Sequence, residues 1–407
     1  MAQSKSIHKW NHKAAFTLGS IFCLFLFGLF DSLKGSTLST ILKDLNLSYS
    51  LGGTIVLGQY GGYFLSTFIT GIFIDRLGHR ATLILCAASM ILGTAGYASV
   101  SSLPFLFLFI SFIGFGLGTL ELCGSNIITT YYPEKKGRYL NMLTAISGIG
   151  SILSPILAGQ LLHAGHSWRF VYYMGLVLLI PIALYFISIR APKQSGVSGD
   201  SVSLAEHREN APDSSIRFFR KDLLLMYFIN FMYMAAEMGL TTWLVEFYIT
   251  DCHYTAVKSA QLLSFFYITM TFGRFAGGFF VDRIGRFTST AAASFGVSFC
   301  ILIGLISSGQ LSMIIALSGL FYSIVFPTAT AMLASLPSGN AGRVQGLYFA
   351  FGGLGGMFGP WFMGIVNTYF GLKAGIFLPV LLFLFILTLL ILLKSRDNFK
   401  GRCHSYE

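Results

Sequence analysis

The sequence predicts an all-α integral membrane protein with twelve transmembrane helices in two pseudo-symmetric six-helix bundles. Three observations predict it. Hydrophobic residues make up 54% of the 407-residue chain and charged residues only 11%, with a mean hydropathy of +0.71. A soluble surface needs roughly a quarter of its residues charged, which excludes an ordinary soluble enzyme. Twelve apolar stretches also approach the roughly 20 residues that cross a bilayer. Finally, two motifs of the first half recur in the second at a nearly constant offset.

The stretches run over 16–42, 51–74, 81–99, 104–132, 140–163 and 169–190, then 222–249, 257–281, 288–308, 310–336, 343–369 and 373–394. Between the two sets lies 191–221, rich in Ser, Glu, Asp and Arg, the one stretch that reads as a polar linker. It separates an N-terminal bundle, 1–190, from a C-terminal bundle, 222–407. The first stretch follows Lys5, Lys9 and Lys13. It is too long for a signal peptide and has no small-residue cleavage site, so it reads as a retained helix.

Placing both termini in the cytoplasm puts 21 of the 27 Lys and Arg residues on the cytoplasmic side and 4 on the other. The positive-inside rule therefore sets that orientation, in a plasma (inner) membrane. The net charge of +11 sits in short loops without aromatic interleaving, so no nucleic-acid partner is expected. Cys23, Cys86, Cys123 and Cys300 fall inside apolar stretches, and no Cys pair has metal-ligand or redox spacing. No metal is expected. Without a GxxxxGK[ST] phosphate loop, no ATP drive is expected from this chain either, and an ion gradient is the implied energy source.

The loop after the second stretch reads Gly71-Ile-Phe-Ile-Asp75-Arg76-Leu-Gly78-His79-Arg80. After the eighth, 207 residues on, it reads Gly278-Phe-Phe-Val-Asp282-Arg283-Ile-Gly285-Arg286. The fifth stretch carries Gly148, Gly150, Pro155 and Gly159. The eleventh carries Gly353, Gly355, Pro360 and Gly364, at an offset of 205. Parallel halves of this kind are a transporter architecture.

The GxxxDRxGxR loop and its echo resemble the signature of the major facilitator superfamily, over the whole chain. In that family the Asp and basic residues tie neighbouring helices together at a cytoplasmic gate. The resemblance assigns that gate to Gly71, Asp75, Arg76, Gly78 and Arg80, and to Gly278, Asp282, Arg283, Gly285 and Arg286. His79 stands where the family usually has Arg. Three further stretches, LSYSLGGTIVLGQYGGYFLSTFITG, GFGLGTLELCGSN and YMAAEMGLTTWLVEFY, resemble the fucose–galactose–glucose/proton symporters. In that group a Glu in a Leu-Glu-x-x-x-x-Asn context lies in the central cavity and takes part in proton or sugar binding. The matching residues here are Glu121 and Asn126. The acid of the group's first helix has no counterpart near Gly35. Asp31 lies one turn earlier, with Lys34 beside it.

Charges inside a span cost about 2.5–3.5 kcal/mol each and are functional candidates by default. Asp31, Glu121 and Glu237 fall within a turn of the centres of the first, fourth and seventh stretches. In the superfamily these helices line the cavity, so the resemblance implies that the three carboxylates converge there. Lys34 shares a helical face with Asp31. Glu121 and Glu237 have no cation within four residues and are the expected proton carriers. Gln59, Tyr60, Tyr63, Trp243 and Tyr267 are polar or aromatic within stretches, as a sugar site needs, whereas Arg274 is expected near the gate end.

The sequence thus points to no enzyme and no cofactor. It points to a monomeric secondary transporter, working by alternating access and taking up a small polar solute such as a sugar with protons. The alternative is a proton-coupled exporter of a drug, a lipid or an amphiphilic or anionic metabolite. Alkaline phosphatase fused after Glu407 is expected to be inactive in intact cells, and a fluorescent protein at the same place to fluoresce. Active phosphatase would reverse the orientation.

Overall fold

The computed structural model describes residues 2–188, 220–307, 309–336 and 341–394. The chain forms two compact units, Met1–Ser201 and Val202–Glu407. Their boundary falls within the stretch read as a linker, of which 191–219 lies outside the described residues. The described part of each of the twelve apolar stretches is mainly helical. Among the described residues ten helices are long and apolar enough to cross a membrane. The two stretches not among them, 51–74 and 257–281, are those that lead into the repeated motif. Their Gly, Ser, Thr, Gln and Arg content dilutes the apolar run.

In the first unit, α1 (Ala2–Asp44) begins well before the apolar stretch. Where the apolar stretch begins, the Thr17 hydroxyl lies 3.0 Å from the Tyr132 hydroxyl and the Lys13 ammonium 4.1 Å from the centre of the Tyr132 ring. The second and third stretches form one element, α2 (Tyr49–Ser99), opened by a Ser48 cap and broken at Gly78. Gly78 has φ 76°, a conformation that strains residues with a Cβ. It divides α2 into arms 49–77 and 79–99. The unit continues with α3 (Leu103–Tyr131), α4 (Lys136–His163) and α5 (Trp168–Ser188).

The second unit holds α6 (Lys221–Thr250), α7 (Ala256–Ile284), α8 (Arg286–Ile306), α9 (Ile314–Leu317), α10 (Gly319–Ser335), α11 (Ala341–Phe370) and α12 (Leu372–Lys394). Gly285, between α7 and α8, has φ 88° and so repeats Gly78. The tenth stretch is interrupted at Ser318, whose hydroxyl donates to the Ile315 carbonyl at 2.6 Å. α10 therefore starts later than the apolar run.

The repeated glycines set how closely helices approach. α1 packs on α4 with backbone against backbone: a Cβ on Gly28 would lie 1.9 Å from the Ser147 carbonyl oxygen, and one on Gly150 2.4 Å from that of Phe25. α6 packs on α11 in the same way. A Cβ on Gly355 would lie 2.1 Å from the Phe231 oxygen, and one on Gly359 2.3 Å from that of Ala235. Small residues at such crossings supply the packing that replaces a hydrophobic driving force within lipid. Gly28→Ala and Gly355→Ala should each lower stability in detergent by about 1–3 kcal/mol, the usual cost of overpacking. Gly346→Ala, at a position with nothing within 4 Å, should be neutral. Thermal melting of the purified proteins checks the contrast, and equal effects at all three positions would refute it.

Candidate functional site

The first unit gathers its polar groups on α1, the first arm of α2, and α3. Asp31 and Lys34 are one turn apart on α1. The Lys34 ammonium donates to Asp31 Oδ1 at 2.7 Å and to the Asp31 carbonyl at 2.5 Å. The pair is largely buried, at 5% and 17% exposure for Lys34 and Asp31. α2 approaches from the side. Its Tyr60 hydroxyl donates to Asp31 Oδ1 at 3.2 Å, and Gln59 Nε2 donates to the same oxygen at 3.4 Å. The Tyr60 ring also lies 4.8 Å from the Lys34 ammonium, a cation–π contact that shelters the charge.

One turn further along α2, the Tyr63 hydroxyl donates to Glu121 Oε2 of α3. The Tyr60 and Tyr63 rings meet edge to face, with centroids 6.4 Å apart. Asp31 and Glu121, on different helices, are thus linked through two tyrosines on one face of a third. Both acids stand at one depth in the sequence and both tyrosines are visible there, but the pairing of each tyrosine with an acid depends on helix packing. Spacing along one chain does not give it.

Asn126 and Trp243 each spend their polar atom on another partner within their own unit. Asn126 lies five residues beyond Glu121, about 7.5 Å along α3, and its Oδ1 is 2.8 Å from His79 Nε2. It belongs with the motif loop. Trp243 is fully buried, and its indole donates to the Pro360 carbonyl at 2.9 Å, so its polar atom serves the α6–α11 contact.

At the motif loop, His79 and Arg286 hold equivalent positions, and each reaches another helix of its own unit. His79 meets Asn126 on α3, while Arg286 donates to the Ala331 carbonyl on α10 at 3.4 Å. The two partners stand 205 residues apart, the offset of the glycine repeat. Arg80 adds a bond to the Ile187 carbonyl at 2.6 Å. Arg283 is exposed, and the side chains of Asp75, Arg76 and Asp282, with Gly71 and Gly278, lie outside the described ones.

In the second unit Glu237 is 6% exposed on α6. Its carboxylate lies beside the Tyr233 hydroxyl one turn back and within electrostatic reach of Tyr322 on α10. Tyr233 donates to the Tyr322 carbonyl at 3.2 Å, which fixes α6 against α10. Arg274 of α7 approaches Tyr233 as well. It is ten residues, about 15 Å, from the motif end of α7. It lies four residues before Gly278, where the motif begins. Among the described residues no group of His, Cys, Asp and Glu is arranged to hold a metal ion.

Membrane-length helices, a two-unit fold and a repeated motif loop together define a transporter-like integral membrane protein. The sequence profile of the Major Facilitator Superfamily matches residues 20–316 and 286–402, and the chain belongs to that family. It is 24% identical over 383 residues to the cis,cis-muconate transport protein of Acinetobacter baylyi, covering 89% of this chain and 88% of that one. It is 23% identical over 337 residues to the L-fucose–proton symporter of Escherichia coli, covering 75% and 76%. In fold it resembles an inward-facing bacterial homologue of the human lysosomal transporter Spinster. The TM-score is 0.78 at 14% identity, over 96% of this chain and 98% of the other.

The Asp31–Lys34 geometry carries a stability prediction. Lys34→Met leaves a largely buried carboxylate without its ammonium, a loss of about 3–5 kcal/mol. Asp31→Asn combined with Lys34→Met should recover most of it. Melting of the single and double variants checks this, and strictly additive losses would contradict the pairing.

Proposed function

We propose that the chain is a proton-coupled secondary transporter that takes up a small polar solute by alternating access. In this reading it acts as a monomer, spans the inner membrane twelve times with both termini in the cytoplasm, uses the proton gradient and no cofactor, and catalyses no covalent reaction. The observation that carries the proposal is the Tyr63–Glu121 hydrogen bond. A phenol donates to a carboxylate and accepts from a carboxylic acid, so Glu121 keeps a partner in either protonation state. A membrane-embedded acid with such a partner can take up and release a proton without leaving a buried polar atom unsatisfied.

Asp31 serves differently. Its charge is answered by Lys34, so it contributes a fixed dipole and hydrogen-bonding groups beside Glu121. Glu237, beside Tyr233, is the second exchangeable acid. The motif loops, each tied to neighbouring helices of its unit by His79, Arg80 and Arg286, form the gate. Relatives named for L-fucose with protons and for cis,cis-muconate support a small polar solute, neutral or anionic.

Uptake into proteoliposomes across a sugar and organic-anion panel, with and without an imposed pH gradient, tests the coupling. Accumulation should require the gradient, and reversing the gradient should reverse the flux. Glu121→Gln should abolish accumulation and keep counterflow. Gradient-independent uptake would remove the coupling. Full accumulation by Glu121→Gln would pass the proton role to Glu237. Efflux of amphiphiles driven by proton entry would favour export.

A further inference from the structure

A cavity of about 10 Å³ lies inside the first unit against Lys34, among α1, both arms of α2, α3 and α5. That is room for about one water molecule. Its polar lining is Lys34 and Thr37 of α1, Gln59 and Tyr97 of α2, and Tyr172 of α5. None of these side chains is more than 5% exposed, so bulk solvent does not serve them. Two of their groups are left over by the hydrogen bonds of the protein itself. Gln59 turns Nε2 to Asp31 at 3.4 Å, and its Oε1 has no partner among the described residues. The amide cannot be turned round, because the ion-paired carboxylate it meets only accepts. The Tyr97 hydroxyl has no hydrogen-bond partner among the described residues either. Its ring meets that of Tyr172 edge to face, with centroids 4.9 Å apart. Thr37 donates to the Leu33 carbonyl at 3.0 Å, so the Tyr172 hydroxyl donates to Thr37 at 3.3 Å and keeps a lone pair to accept with.

The lining therefore offers two acceptors, Gln59 Oε1 and Tyr172 Oη, and one donor, the Tyr97 hydroxyl. An anion would face two acceptor oxygens, and a metal cation would face the Lys34 ammonium. Water carries two O–H donors and two lone pairs and so matches the set, with the three hydrogen bonds usual for a buried water. We infer that the cavity is a binding site for one water molecule, which donates to Gln59 and Tyr172 and accepts from Tyr97, and that Tyr97 is through it a positioning residue for Asp31. The water holds Gln59 by its oxygen, which keeps Nε2 turned to the carboxylate. The site does not depend on which solute the protein carries. Thr94 supplies a control. It shares a face of α2 with Tyr97 one turn away, and its hydroxyl is buried and without a partner among the described residues, but it does not line the cavity.

The test is infrared difference spectroscopy of the full-length protein in lipid, wild type minus Tyr97→Phe, in ordinary water and in water labelled with oxygen-18. The difference should contain an O–H stretch that moves on labelling, as a water band does and a tyrosine or threonine hydroxyl does not. Thr94→Val should keep that band. Gln59→Leu, which deletes an acceptor, should shift or remove it, and this variant decides the matter if Tyr97→Phe fails to fold. Melting adds a check of opposite sign. With water bound, Tyr97→Phe breaks a satisfied network and should lower the melting temperature by about 2 °C or more. Thr94→Val, which deletes an unpartnered hydroxyl, should leave it unchanged or raise it. The positioning role is read from the Asp31 carboxylate stretch, assigned with the Asp31→Asn, Lys34→Met double variant. It should shift in Tyr97→Phe and stay in place in Thr94→Val, and a stretch unmoved in Tyr97→Phe overturns that role. The water site is overturned if no label-sensitive band appears in the difference, if the band is unchanged in Gln59→Leu, or if Tyr97→Phe is at least as stable as wild type.

Discussion

Inside a bilayer a charged side chain has no water to turn to, so each buried charge must be met by another group of the protein or by something the protein carries. The polar architecture of this molecule follows from that constraint. Lys34 answers Asp31 at 2.7 Å, and Tyr60 and Gln59 complete the shell around the same carboxylate oxygen. Glu121 takes its bond from Tyr63. On α6, Glu237 lies against Tyr233. Two kinds of answer are present. A charge answered by a charge is fixed, because removing either partner leaves the other stranded. An acid answered by a phenol can change its protonation state and keep its hydrogen bond.

Close helix crossing makes these pairings possible. Gln59 sits where α2 meets α3 so tightly that a Cβ on Gly114 would lie 1.8 Å from its carbonyl oxygen. That approach brings Tyr60 and Tyr63, on the same arm, within reach of acids on α1 and α3. The glycines of α4 and α11 do the same for α1 and α6, the helices that carry Asp31 and Glu237. The helix-packing residues and the chemistry-bearing residues are therefore one design. A bulkier residue at a crossing would move the tyrosines relative to the acids.

Much of the fold was legible in the sequence because it rests on composition and repetition. The described parts of the apolar stretches are mainly helical, and the two motif glycines Gly78 and Gly285 share one backbone conformation. What escaped was set by tertiary approach. Asn126 has the spacing of a cavity residue but bonds His79, because five residues carry it past Glu121 to the loop. Trp243 reads as an aromatic for stacking a solute, yet its indole is used by Pro360. Arg274, eight residues before Asp282, comes within electrostatic reach of Tyr233 on α6, which its place in the sequence does not show. Tyr60 and Tyr63 were visible as polar residues in a span, but an acid partner on another helix leaves no mark in local sequence.

The central claim is that Glu121, held by Tyr63, is an acid that exchanges its proton. Infrared difference spectroscopy of the protein in lipid, recorded across a pH titration, observes this directly through the carbonyl stretch of a protonated carboxyl group. The account predicts a band that grows as pH falls, disappears in Glu121→Gln, and shifts in Tyr63→Phe because the hydrogen bond to the phenol is gone. A protonated-carboxyl band that persists unchanged in Glu121→Gln would contradict it.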